Sequence, residues 1–137
     1  MLDSVYADIS QAIGVNVSSE LDIYRLVSAG ITPEVYFAAS RFLRLPRGLV
    51  TKRRFKPETR GARRLSLDES ERLVRVARTY ADAVAMFGDR EAALRWLSTP
   101  RNFVHGMPSM SPIELSMSEV GERLITSKIA RTSHGIF

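Results

Sequence analysis

Apolar residues recur at helical spacing along nearly the whole chain, and the polar residues between them carry start and stop signals. Val5, Ile9 and Ile13 stand four apart with Gly14 behind them, which predicts a short helix over about 3–13. Ser18 or Ser19 can cap a second helix that places Leu21, Tyr24 and Val27 on one face and ends before Gly30. Thr32-Pro33 is an N-cap with proline at the first helical position, and a third helix follows through Val35, Tyr36, Ala39, Phe42 and Leu43. Pro46 biases Leu45 away from helical geometry, so that helix stops near Arg44. A short second segment, Pro46–Arg54, can be helical again, although Gly48 weakens it.

Phe55–Leu65, with Pro57 and Gly61, reads as a loop. Ser66 and Glu69 form a capping box, and the helix they open, over about 67–87, carries Leu73, Val76 or Ala77, Tyr80, Val84 and Phe87 as its apolar stripe. Asp68–Arg72 and Glu71–Arg75 are acid-first pairs four apart on its surface. Gly88 closes it, and Asp89 caps a short helix through Ala92, Ala93, Trp96 and Leu97 that Pro100 stops. Ser111-Pro112-Ile113-Glu114 is another cap, and Ser116-Met117-Ser118-Glu119 a further capping box. The final helix then carries Val120, Leu124 and Ile129 and frays after Arg131. Alternation of apolar and polar residues never lasts beyond four or five positions, so the expected fold class is all-α, with no sheet.

Composition narrows the function classes. Cysteine is absent and histidine occurs only at His105 and His134, which leaves no thiolate chemistry and nearly excludes a multi-histidine metal site. No apolar run reaches membrane-span length, and residues 1–8 lack the basic start of a signal or transit peptide, so a cytoplasmic location is expected. Charge is uneven. Residues 1–40 hold five acids and one base, residues 41–64 hold ten bases and one acid, and residues 65–137 hold nine of each. A block of net +9 in 24 positions points to a polyanionic partner, nucleic acid first and an anionic membrane surface second.

That block coincides with the helix–break–helix over 32–54. A DNA-reading helix-turn-helix needs a supporting helix, a tight turn and a second helix that presents bases and small polar groups. On this reading the DNA contacts are Arg41, Arg44, Arg47, Thr51, Lys52, Arg53 and Arg54, with arginine suited to guanine edges and lysine and threonine to phosphates. The competing reading is a solvated basic surface. Lys56, Arg60, Arg63 and Arg64 either track a phosphate backbone or form a charged spacer. Phe87, Trp96 and Phe103 read as core, and His105 as a structural histidine in an apolar turn. No nucleophile elbow or phosphate loop is found, so no enzymatic activity is expected.

The ordered run Leu65-Ser66, Glu69-Ser70-Glu71-Arg72-Leu73, Phe87-Gly88-Asp89, Ala92 or Ala93, Trp96-Leu97, Pro100, Gly106, Pro108 or Pro112, and Gly121 resembles the toxin-binding domain of the Xre/MbcA/ParS-type antitoxins. The N-terminal stretch ending in Lys52-Arg53-Arg54 is similar to the Xre-like half of the same proteins. The resemblance implies an Xre-like helix-turn-helix domain over 1–55, a basic linker over 56–64 and a helical toxin-binding domain with a tail over 65–137. It also implies a homodimer that represses its own operon at operator DNA, needs no cofactor, and neutralises a RES-domain toxin that uses NAD. In that family the chain end enters the toxin's NAD site, which would make Leu124, Lys128, Arg131, His134, Gly135, Ile136 and Phe137 the toxin contacts here. The rival expectation is a plain helix-turn-helix regulator whose C-terminal half dimerises or senses a small molecule.

Overall fold

The computed structural model describes residues 2–52 and 64–133, and among them it holds seven helices and no strand. They are α1 (Leu2–Ile13), α2 (Glu20–Ala29), α3 (Pro33–Leu43), α4 (Leu67–Phe87), α5 (Arg90–Ser98), α6 (Pro112–Leu115) and α7 (Glu119–Ser133). The all-α expectation holds.

α4 organises the rest. Its capping box forms as the sequence implies: Ser66 Oγ accepts from the Glu69 amide at 3.1 Å, and Glu69 Oε1 accepts from the Ser66 amide at 2.8 Å. Leu73, Val76, Ala77, Tyr80, Ala81 and Ala83 are all fully buried, because α1, α2, α3, α5 and α7 each pack against this helix. The stripe surfaces at its C-terminal end, where Phe87 is exposed. One hydrophobic core runs from Ile9 and Ile13 through Ile31 and Leu43 to Leu97 and Ile113, so residues on both sides of the expected linker share it. The linker itself, 56–64, lies almost wholly outside the described residues. Tyr80 ties the parts together: its ring meets Phe42 edge-on at 5.3 Å and its hydroxyl donates to Gln11 at 3.3 Å.

Several expectations change. On α2 the buried residues are Ile23 and Val27, which face α4, while Leu21 and Tyr24 point to solvent. The helix carries two apolar stripes, and spacing alone could not rank them. The Pro46–Arg54 helix is absent over its described part, 46–52, which is a chain of turns. Arg44 ends α3 in the left-handed region (φ 58°), Gly48 follows at φ 81°, and Val50 and Thr51 are drawn into the core. Arg72 donates to the Val50 carbonyl at 3.2 Å across this gap. Ser118, not Ser116, caps α7, accepting from the Gly121 amide at 2.9 Å; Ser116 is buried and donates to the Ile113 carbonyl. On α7 the buried face is Gly121, Ile125 and Ile129, which leaves Val120 and Leu124 exposed.

Candidate nucleic-acid interface and C-terminal surface

Of the described DNA contacts expected from the sequence, four are exposed and one, Thr51, is buried. Arg41 is exposed in the last turn of α3, and Arg47 and Lys52 are exposed on the turns that follow. Arg44 is exposed but holds Glu91 of α5 through both carboxylate oxygens, at 2.9 and 3.0 Å. Thr51 is only 3% exposed and its hydroxyl donates to Glu69 Oε2. It therefore holds the 46–52 segment onto the start of α4 and presents nothing to solvent. Arg53 and Arg54 lie outside the described residues.

The sequence places the ends of the connection between α2 and α3 but not its ties to the rest of the chain, which are dense. Three residues, Gly30-Ile31-Thr32, join the helices. Gly30 has φ 87°, and a Cβ there would stand 2.9 Å from the Leu65 carbonyl oxygen and 3.0 Å from Arg64 Cβ, so glycine is required both for its backbone and for the approach. Ile31 is fully buried; its amide donates to Ser70 Oγ at 3.1 Å and its carbonyl accepts from the Leu65 amide at 2.8 Å. Arg64 donates to the Gly30 carbonyl at 3.1 Å. Thr32 caps α3 through the Val35 amide, with Pro33 at its first position. The signal was the string Gly-Ile-Thr-Pro between two helical patterns.

A groove of about 470 Å³ lies between α2 and α4. Ile23, Val27 and Val74 form its apolar part, with Tyr24 and Leu67 beside them. At one end Glu20 accepts a bidentate pair from Arg78, 2.9 Å at Nη1, and the Tyr6 hydroxyl at 2.8 Å. The Arg78 guanidinium is the main reason Glu20 is held below the ordinary carboxylate range. Asp82, further along α4, is pushed up, first by desolvation and then by the Glu122 carboxylate on α7.

In the C-terminal part, Phe87, Trp96 and Phe103 form a row with ring centroids 5.8 and 6.4 Å apart. The row runs outward from the core edge: Trp96, partly buried, packs against the hydrophobic core as expected, Phe103 is partly buried, and Phe87 is exposed. An isolated antiparallel bridge between Arg101 and Met110 closes a loop whose tip exposes Val104, His105 and Met107; His105 is thus a surface residue. Leu124 and Lys128 are exposed on α7. The side chain of Arg131 and residues His134, Gly135, Ile136 and Phe137 lie outside the described set. Among the described residues no cluster of acids and histidines could hold a metal, and no helix is long and apolar enough to cross a membrane.

Comparison with curated proteins adds what geometry cannot. The chain is 37% identical over 75 residues to Antitoxin Xre of Yersinia enterocolitica, which is 54% of this chain and 49% of that protein. It is 27% identical over 129 residues to Antitoxin Xre of Pseudomonas putida, 87% of this chain and 76% of the relative. The chain is similar to the Xre antitoxins. A third protein of the same name, from Photorhabdus laumondii, is 31% identical over 77 residues, 56% of this chain and 50% of that protein. The chain thus spans about half the length of two of these relatives and three quarters of the third. No protein-family model matches it.

Proposed function

We propose that this protein is an antitoxin that holds a cognate toxin inactive through its C-terminal part and binds operator DNA through its N-terminal part. The observation that carries the reading is the similarity to three proteins named Antitoxin Xre, which for one of them extends over most of the chain. The basic block at 41–64, with Arg41, Arg47 and Lys52 exposed, supports the DNA-binding half. The exposed apolar residues Val120 and Leu124 on α7 support a protein partner at the C-terminal half. The toxin is of the RES-domain, NAD-consuming class. The segment from Arg131 to Phe137, with Leu124 and Lys128 leading to it, enters and blocks the toxin's active site. The protein acts in the cytoplasm as a homodimer, represses its own operon and has no catalytic step of its own.

The test is co-expression with the product of the adjoining reading frame, with growth and complex formation both measured. The full chain restores growth and co-purifies with that product. Deleting Ser133–Phe137 abolishes growth rescue and retains the complex. A full chain that neither binds the neighbour's product nor restores growth defeats the antitoxin reading. A truncated chain that protects as well as the full one defeats the blocking tail.

A further inference from the structure

α3 has one face committed to the fold and one left for solvent. Ala39 and Leu43 are fully buried, and Val35 and Tyr36 are partly covered beside them. On the opposite side Glu34, Ala38 and Arg41 are exposed, and Phe37, partly exposed, lies among them with its ring 5.5 Å from Tyr36. Positions 34, 37, 38 and 41 follow the i, i+3, i+4, i+7 spacing of a single helical stripe.

The chemistry of that stripe fits base edges in a duplex. Arginine matches guanine O6 and N7, a carboxylate accepts from cytosine N4, and alanine or phenylalanine meets the thymine methyl group. A surface built only to hold phosphates gains nothing from Glu34, whereas one that reads bases can use it. Two further exposed cations, Arg47 and Lys52, lie beyond the C-terminal end of the helix, where they suit phosphates flanking a groove. The mounting fits as well. A three-residue turn containing glycine joins two short helices, the arrangement of a helix-turn-helix. The Ser70, Leu65 and Arg64 hydrogen bonds to Gly30 and Ile31 fasten that turn to α4 and its approach.

We propose that α2, Gly30-Ile31-Thr32 and α3 form the DNA-reading unit, that α3 enters the major groove, and that Glu34, Phe37, Ala38 and Arg41 determine sequence preference. Arg47 and Lys52 hold the backbone. This rests on the DNA-binding half of the proposed function and moves the reading helix one element earlier than the basic block suggests.

Selection from a random-sequence duplex library with the full chain, followed by anisotropy titrations on the selected duplex and a scrambled one, tests it. Arg41→Ala weakens binding to the selected duplex about 10- to 100-fold and changes binding to the scrambled duplex far less. Glu34→Gln alters the base preferred at one position on repeat selection. Arg47→Ala and Lys52→Ala weaken both duplexes alike, and each lowers the slope of log K against log salt by about 0.9. All four side chains are exposed, and unchanged thermal melts establish that the variants fold. If Arg41→Ala and Glu34→Gln leave the selected sequence and the selected-to-scrambled ratio unchanged, α3 is not the reader. Salt-dependent binding by the wild type with no enriched sequence defeats base reading and leaves DNA binding standing. No binding to any duplex defeats both.

Discussion

Ser70→Ala isolates the link between α4 and the α2–α3 turn. Ser70 is fully buried, and its hydroxyl accepts the Ile31 amide at 3.1 Å, with Ile31 itself inaccessible to solvent. Removing the oxygen strands a buried N–H, which costs about 1–3 kcal/mol. Alanine returns about 0.5 kcal/mol through its better helix propensity. The net loss is about 1.5 kcal/mol, which lowers Tm by about 5 °C for a chain of this length. The damage is also local. Amide hydrogen exchange at Ile31 accelerates by more than exchange at Leu73 or Ala77, because only the turn loses its tether. On the proposed reading by α3, sequence discrimination on DNA declines with it, because α3 is no longer held at one attitude. A thermal melt and site-resolved exchange on the same sample make the measurement. An unchanged Tm together with unchanged protection at Ile31 refutes the reasoning, since the amide would then be satisfied without Ser70.

Gly121→Ala trades helix propensity against a collision: a Cβ at 121 would lie 1.9 Å from the Leu115 carbonyl oxygen. The fold loses about 2 kcal/mol net, read as a lower urea midpoint at unchanged slope; a raised midpoint contradicts it. Glu20 and Asp82 give opposite pH signatures. Glu20 has a depressed folded value, so it stabilises above the unfolded value of 4.5 and the contribution is lost as pH falls through the folded value; Glu20→Gln flattens that acid limb. Asp82 has a raised folded value, so its ionised form opposes folding at neutral pH and the penalty fades as pH falls toward 3.8. Asp82→Asn therefore raises Tm at pH 7 and gives no gain in strong acid, which a Tm series across pH checks.

Much of the helical layout was legible because its signals are local. Ser19, Thr32, Ser66, Asp89 and Ser111 all cap where composition suggests, and Gly30 and Gly88 close helices as expected. What spacing could not settle was which of two apolar stripes a helix buries. Val27 and Ile129 are buried as expected, but Ile23 replaces Leu21 and Tyr24 beside the first, and Ile125 replaces Val120 and Leu124 beside the second, through packing against α4. In the candidate site, charge alone does not separate exposed positions from fastened ones. Charge density drew attention to 46–54, yet its apolar residue Val50 and the hydroxyl of Thr51 are used to fasten the segment to α4. Gly30 and Thr32 are legible as a helix stop and an N-cap, but the turn they bound carries no charge and so gives no sign of a site. Its importance is visible only through partners 34 and 39 residues away, Arg64 and Ser70.

The placement of α4 sets a rule for grafting. Its first two turns clasp the N-terminal elements through Glu69, Ser70 and Arg72, while Tyr80 reaches Gln11 and Phe42. A cut at the obvious seam between residues 55 and 64 therefore separates α3 from the beam on which it is mounted. A chimaera that takes residues 65–137 from a relative imports a foreign cradle for the α2–α3 turn, and on the proposed reading by α3 its DNA preference follows the donor of the cradle as well as the donor of α3. Exchange of partner specificity without that side effect requires the splice to fall after Phe87, with α4 kept as part of the N-terminal module.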